Sequence, residues 1–153
     1  MKELVTLLFG GNIGDTLMLF DTACQKLESS GFQVLKRSPV FRTEPVGCVP
    51  GTPDFQNQAV SGTWSLSAQE LLKLTQRIER ESGRPAQHSS SEARTLDIDI
   101  ITFGEQIINE ENLQIPHPRA QQRLFVLQPL FYIEPDLCFP DSGKSIAGLL
   151  REL

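Results

Sequence analysis

Two carboxylates set two residues apart in an otherwise apolar run are the groups in this chain best placed to do chemistry. They are Asp97 and Asp99, in the stretch Arg94-Thr95-Leu96-Asp97-Ile98-Asp99-Ile100-Ile101. The apolar, β-branched composition predicts a buried strand. Its period of two turns both acids to one face and Leu96, Ile98 and Ile100 to the other. Two strand steps separate the carboxylates by roughly 7 Å, a spacing suited to oxygen ligands that hold Mg²⁺ against phosphate. Like charges side by side in a sheet repel unless something cationic lies between them. The alternative is the polar outer face of an antiparallel sheet, and the spacing alone does not choose between the two.

Other groups could join that chemistry. Gln76 and Glu79 stand at i and i+3 and share one helix face, with Arg84 just beyond. Beside a metal-binding strand they could hold a nucleotide's ribose and phosphates; otherwise they are a solvated helix surface. His117 lies between Pro116 and Pro118, and the following proline keeps its backbone extended. With Arg119 and Arg123 after it, the pattern suggests imidazole and guanidinium donors to phosphate oxygens, against the plainer reading of an incidental loop histidine. Phe55 and Asn57 put a ring and an amide on one strand face, and Phe125 supplies a second ring. A flat heterocycle could lie between the rings while the amide reads its edge, although phenylalanines are core residues by default. Gly10-Gly11-Asn12-Ile13-Gly14 matches neither a dinucleotide fingerprint nor a P-loop and reads as a strand-to-helix turn.

These groups need a scaffold, and the chain of 153 residues is long enough for one domain, residues 1–153, with a single core. Leu4 to Phe9 reads as a first strand, followed by a helix capped at Asp15 or Thr16 and closed by Gly31. Phe32 to Thr43 reads as a second strand bent near Pro39, and Phe55 to Trp64 as a third. Ser67 and Glu70 form a capping box that opens a second helix, which Gly83 ends. The acidic strand follows a polar loop, and Phe103 to Ile107 reads as a hairpin turn. A short helix around Arg123 to Leu130 and a terminal helix from Ser145 complete the chain. The order β-α-β-β-α-β predicts an α+β, ferredoxin-like sandwich with an antiparallel sheet and a C-terminal elaboration.

The net charge of −5 argues against a sequence-independent nucleic-acid binder, which needs a basic field. No apolar run approaches the ~20 residues of a membrane span. Cys24, Cys48 and Cys138 show no metal-type spacing and cannot all pair, so a reducing cytoplasm is expected.

Taken together the segments resemble the 6-hydroxymethyl-7,8-dihydropterin pyrophosphokinase family. The resemblance is carried by Arg94 to Ile100, by Ile115-Pro116-His117-Pro118-Arg119 and by Arg123-Leu124-Phe125-Val126-Leu127. Phe41-Arg42-Thr43-Glu44-Pro45-Val46-Gly47 and Asp54-Phe55-Gln56-Asn57 add to it. It implies Mg²⁺-dependent transfer of diphosphate from ATP to the pterin's hydroxymethyl oxygen, with release of AMP. Asp97 and Asp99 would hold two Mg²⁺ ions, while Arg84, Arg94, His117 and Arg123 contact phosphate oxygens. Gln76 and Glu79 would seat the nucleotide, with Ile100 near the adenine. The pterin would stack between Phe55 and Phe125, its edge read by Asn57 and by the backbone of Thr43, Pro45 and Val46. The partners implied are small molecules only, and the protein is expected to be a monomer. Two departures stand in the loop after Arg84, where Ala86 and Ser91 replace an arginine and an aromatic of the family pattern. They predict a slower or differently gated enzyme. The alternatives are a weakly active relative that binds pterin or nucleotide as a sensor, and an RNA-binding module of the same strand order. The acidic charge and the single tyrosine, Tyr132, speak against the last.

Overall fold

The computed structural model describes residues 2–12, 14–44, 50–51, 54–83 and 96–153. In chain order these form β1 (Glu3–Gly11), α1 (Thr16–Ser29), β2 (Gln33–Arg37), β3 (Phe41–Thr43), β4 (Phe55–Trp64) and α2 (Ala68–Glu81). Then come β5 (Asp97–Phe103), β6 (Ile108–Glu110), β7 (Leu113–Ile115), α3 (Leu124–Ile133) and α4 (Ile146–Glu152). Arg84, Ala86, Ser91 and Arg94, and with them the polar loop before β5, lie outside the described residues, as do Pro45 and Val46.

β1 is central because both of its sides are apolar. Val5, Leu7 and Phe9 are buried on one side and Leu8 on the other, the pattern of a strand covered on both faces. The sheet runs β2-β4-β1-β5, with β3 also on β4, and every pairing is antiparallel. This is the ferredoxin-like α+β arrangement. On one face Phe20 and Leu27 of α1 and Leu71, Leu74 and Ile78 of α2 pack on Val5, Leu7, Phe9, Ile98 and Ile100. Phe9 and Phe20 meet with ring centroids 5.5 Å apart. On the other face α3 and α4 bring Val126, Leu127, Leu130, Ile146 and Leu149 onto Leu8, Ala59 and Ile101. The C-terminal elaboration is therefore a second layer, and it sits on the face that carries Asp97 and Asp99.

The helix caps form as their sequence signals imply. Asp15 accepts the Met18 N–H at 3.1 Å, Ser67 that of Glu70 at 3.1 Å and Ser145 that of Gly148 at 3.0 Å. Each satisfies a donor that the helix itself leaves open. Burial pushes the Cys24 thiol up to about 11, so it stays protonated and unreactive at neutral pH.

Three local expectations change. Gly10 and Gly11 belong to β1 and not to a turn, because Asn57 and Gln56 of β4 still pair with them. The second strand is divided into β2 and β3, since Pro39 offers no N–H for the ladder. Ser38 bridges the gap: its N–H donates to Ala59 O and its Oγ accepts the Ala59 N–H, both at 2.9 Å. The turn after Phe103 does form, with Gln106 N–H donating to Phe103 O at 3.0 Å. The chain beyond it does not return along β5; β6 pairs with β7 in a separate two-stranded sheet. Within β5, pairing to β1 jumps from Thr6–Thr102 to Leu7–Ile100, so Ile101 is an extra, bulged residue.

Candidate active site

Sheet register gathers the site. Gly10 of β1 lies between Asn57 of β4 and Asp97 of β5, and the next row is Ala59, Leu8 and Asp99. Residues side by side in register share a face, so the amide and both carboxylates look the same way. Ile98 and Ile100 point oppositely, into the core under α1 and α2, as the strand period predicts. The apolar side chains fix the strand's facing, and the acids follow from it.

Gly10 is the floor of this face. A Cβ there would come within 2.9 Å of the Asn57 Nδ2, so the missing side chain is what leaves room for the amide. Asn57 is buried, and its Nδ2 donates to Phe9 O at 3.5 Å. Its Oδ1 is buried with no hydrogen-bond partner among the described residues. A buried carbonyl oxygen without a donor is costly, and Asn57 belongs to the wall of a cavity.

At this floor opens a cavity of about 600 Å³ lined by the rings of Phe55 and Phe125 and by Thr43, Glu44, Asp97, Asp99 and Arg123. The guanidinium carbon of Arg123 lies 5.4 Å from the Phe125 ring centroid, within cation–π range. A second cavity of about 380 Å³ is walled by Leu72, Ile98, Ile100, Leu113 and His117. Asp99 lines both cavities, whereas Asp97 lines only the first. The two spaces meet at one carboxylate.

His117 is held on two sides. Its N–H donates to Ile101 O at 3.0 Å, and its Nδ1 accepts the Arg119 N–H at 3.3 Å. Burial pushes the imidazole below its usual range; Asp99 opposes this, and Arg123 and Arg119 add to it. A neutral ring whose Nδ1 is an acceptor carries its proton on Nε2 and so offers a single N–H donor.

The structure thus brings Asp97, Asp99, Arg123, Phe55, Asn57, Phe125 and Thr43 around one cavity, and Ile100 and His117 around the other. Gln76 is exposed one turn past Leu72 and lines neither. Glu79 points its Oε2 at the Ile98 N–H, 2.7 Å away. Arg84, Arg94, Pro45 and Val46 fall outside the described residues. Sequence reasoning missed Leu72 and Leu113 of the second cavity, and Gly10 and Leu8 of the first, since only the register shows which side chains the last two sit between.

Gly10→Ala is expected to displace the Asn57 amide and raise the KM for the ligand of the first cavity about tenfold, the scale of one well-made hydrogen bond. Urea unfolding should change little by comparison. An unaltered KM would show that the floor has slack.

Fold and site define a class: a ferredoxin-like α+β domain whose acidic edge strand stands between a ring-walled pocket and a second pocket. Residues 6–135 match the family model of 7,8-dihydro-6-hydroxymethylpterin-pyrophosphokinase (HPPK). The chain belongs to this family, the pyrophosphokinases of folate synthesis. It is 39% identical over 145 residues to the 2-amino-4-hydroxy-6-hydroxymethyldihydropteridine pyrophosphokinase of Synechocystis sp., covering 94% of this chain and 73% of that protein. It is 36% identical over 152 residues to a folic acid synthesis protein of Pneumocystis carinii, covering 99% of this chain but 20% of that one. The fold also matches the crystal structure of Plasmodium falciparum HPPK-DHPS with pteroate, at a TM-score of 0.77 and 13% identity. That match covers 99% of this chain and 42% of the other, and it is a likeness of fold. The chain therefore spans about a fifth of the Pneumocystis protein and under half of the Plasmodium one.

Proposed function

We propose that this chain transfers diphosphate from ATP to the hydroxymethyl oxygen of 6-hydroxymethyl-7,8-dihydropterin. The observation that carries this reading is Asp99, the carboxylate common to both cavities. A heterocycle between Phe55 and Phe125 and a nucleotide base against Ile100, Leu72 and Leu113 would both turn their reactive ends toward it. Transfer between two bound molecules needs that meeting point, because catalysis here is mostly alignment and charge neutralisation.

The donor set fits magnesium. Carboxylate oxygens are the hard ligands Mg²⁺ takes, and one or two of them, completed by phosphate and water, is its usual complement. Among the described residues no cluster of three or more His, Cys, Asp or Glu forms an all-protein cage. When bound, two Mg²⁺ ions on Asp97 and Asp99 would neutralise the triphosphate and draw charge off the bridging oxygens. The pterin hydroxyl oxygen attacks the β-phosphorus, the bond from that phosphorus to the α-phosphate's bridging oxygen breaks, and AMP leaves with that oxygen. The hydroxyl proton goes to solvent.

The chain's own groups orient and hold. Asn57 Oδ1 accepts an N–H from the pterin edge, with the Thr43, Pro45 and Val46 backbone alongside. Arg123 and the Nε2–H of His117 donate to phosphate oxygens, joined by Arg84 and Arg94, with Gln76 on the nucleotide side. We take residues 1–153 to form one pyrophosphokinase domain that works as a monomer in the cytoplasm. No helix among the described residues is long and apolar enough to cross a membrane.

The test is AMP release from ATP by the pure protein with Mg²⁺ and the hydroxymethyl pterin. Failure to release AMP, with Mg²⁺-linked ATP binding intact in calorimetry, would leave a binding protein and overturn the catalytic reading. Asn57→Ala should weaken pterin binding by about 10–100-fold and leave ATP within about twofold, since it removes one buried recognition group. Equal losses for both ligands would count against edge readout.

A further inference from the structure

We propose that Glu79 is a positioning residue, whose carboxylate clamps the strand that carries the two acids and acts as a hydrogen-bond acceptor and not as a charge on the nucleotide. The inference rests on the reading of Asp97 and Asp99 as the cation-holding pair.

β5 ends the sheet, so one edge of its backbone has no neighbouring strand. Half-buried backbone donors on such an edge need a partner, and without one the strand frays or twists. At Ile98, the residue between the two acids, the N–H donates to Glu79 Oε2 at 2.7 Å. This lies at the short end of the ordinary N–H···O range. It is made to the peptide unit that joins Asp97 to Ile98, so it fixes the plane from which the Asp97 side chain springs. Ile98 itself is wedged into the core, and Asp99 follows directly. Glu79 from outside the sheet and the Ile98 side chain from beneath it thus both act on the segment that carries the two acids.

Glu79 is well mounted for this work. It follows Ile78, which is 1% exposed in the core of α2 against the sheet, and it lies in the last turns of a helix anchored through Leu71 and Leu74. A group on a rigid element holds a neighbour more closely than one on a loop. A nucleotide contact would depend on the charge of this residue, but a clamp depends only on an oxygen at the right distance. Glutamine keeps the oxygen and removes the charge; alanine removes both.

Amide hydrogen exchange on the metal-free, ligand-free protein reads the clamp directly. The Ile98 N–H should be protected in the wild type and in Glu79→Gln, and should exchange about tenfold or more faster in Glu79→Ala. In calorimetry with Mg²⁺, Glu79→Gln should bind ATP within about threefold of the wild type, while Glu79→Ala binds about tenfold more weakly or worse. The pterin KM should stay within about twofold in both, because no recognition group of that pocket is touched. If Glu79→Gln loses ATP affinity as heavily as Glu79→Ala, or if the wild-type Ile98 amide exchanges like an open edge amide, the clamp is overturned. Should Glu79→Ala fail to fold, by Trp64 fluorescence, the wild type and Glu79→Gln still decide. Absence of Mg²⁺-linked ATP binding in the wild type would defeat the functional reading instead, and exchange at Ile98 would still judge the clamp.

Discussion

Asp99→Ala is expected to lower kcat for AMP formation by about a thousandfold or more. Losing part of a metal's grip on a triphosphate removes several kcal/mol of charge stabilisation, and each ~1.4 kcal/mol is a factor of ten in rate. Asp99 should cost more than Asp97, because it lines both cavities and Asp97 lines one. In calorimetry the Mg²⁺-dependent part of ATP binding should fall further in Asp99→Ala than in Asp97→Ala. Stability should change far less. Asp99 faces the two cavities and is not part of the hydrophobic core, so truncating it leaves the packing in place and the melting temperature should hold. A variant that is inactive yet no less stable separates a functional carboxylate from a structural one. Unchanged AMP formation would remove Asp99 from the metal site.

Arg123→Ala is the second large effect, a loss of about 10²–10³ in kcat, the scale for removing one preorganised donor to developing charge. Its position explains why the loss should not be confined to one substrate. Arg123 takes the N-cap place of α3, where the Leu127 N–H donates to its carbonyl at 3.1 Å, and its guanidinium leans over the Phe125 ring. The same side chain therefore steadies a wall of the first cavity and faces the acids. Arg123→Lys keeps the charge but loses the planar fork that both stacks and donates twice. It should recover binding of ATP more fully than it recovers kcat. Quenched-flow measurement of the chemical step distinguishes these, and a lysine variant as fast as the wild type would reduce the residue to a point charge.

Legibility followed the range of the interactions involved. Asp15, Ser67 and Ser145 were readable as caps because the acceptor and the N–H it serves are three residues apart. β4 is legible from the turn residues before it and the cap at Ser67 after it and not from a period, since Asn57 to Gly62 are buried without alternation. The facing of Asp97 and Asp99 was readable from the three apolar residues that alternate with them. β6 and β7 were not, since each has three residues, too few to display a period, and Asn109, Glu110 and Gln114 give them the look of a polar loop. The part of Ser38 in joining β2 to β3 depends on Ala59, 21 residues away, and no local pattern announces it. Gly10 reads as a turn residue because glycine favours turns. Its use here, space for the Asn57 amide, exists only once β1 lies beside β4. Glu79 and Gln76 looked alike in spacing, yet one reaches the acidic strand and the other faces solvent. That difference comes from how α2 is rotated against β5.

Ile98 and Ile101 stand three residues apart, and in an unbroken strand their backbone groups would face opposite neighbours. The bulge at Ile101 turns its carbonyl outward as well, where it meets the His117 N–H. Shortening the strand by that one residue would keep both acids on their present side but withdraw the hook that holds the histidine. The facing of the acids and the anchoring of the histidine are thereby separable in this architecture, since the bulge lies beyond both acids and bears only on the second.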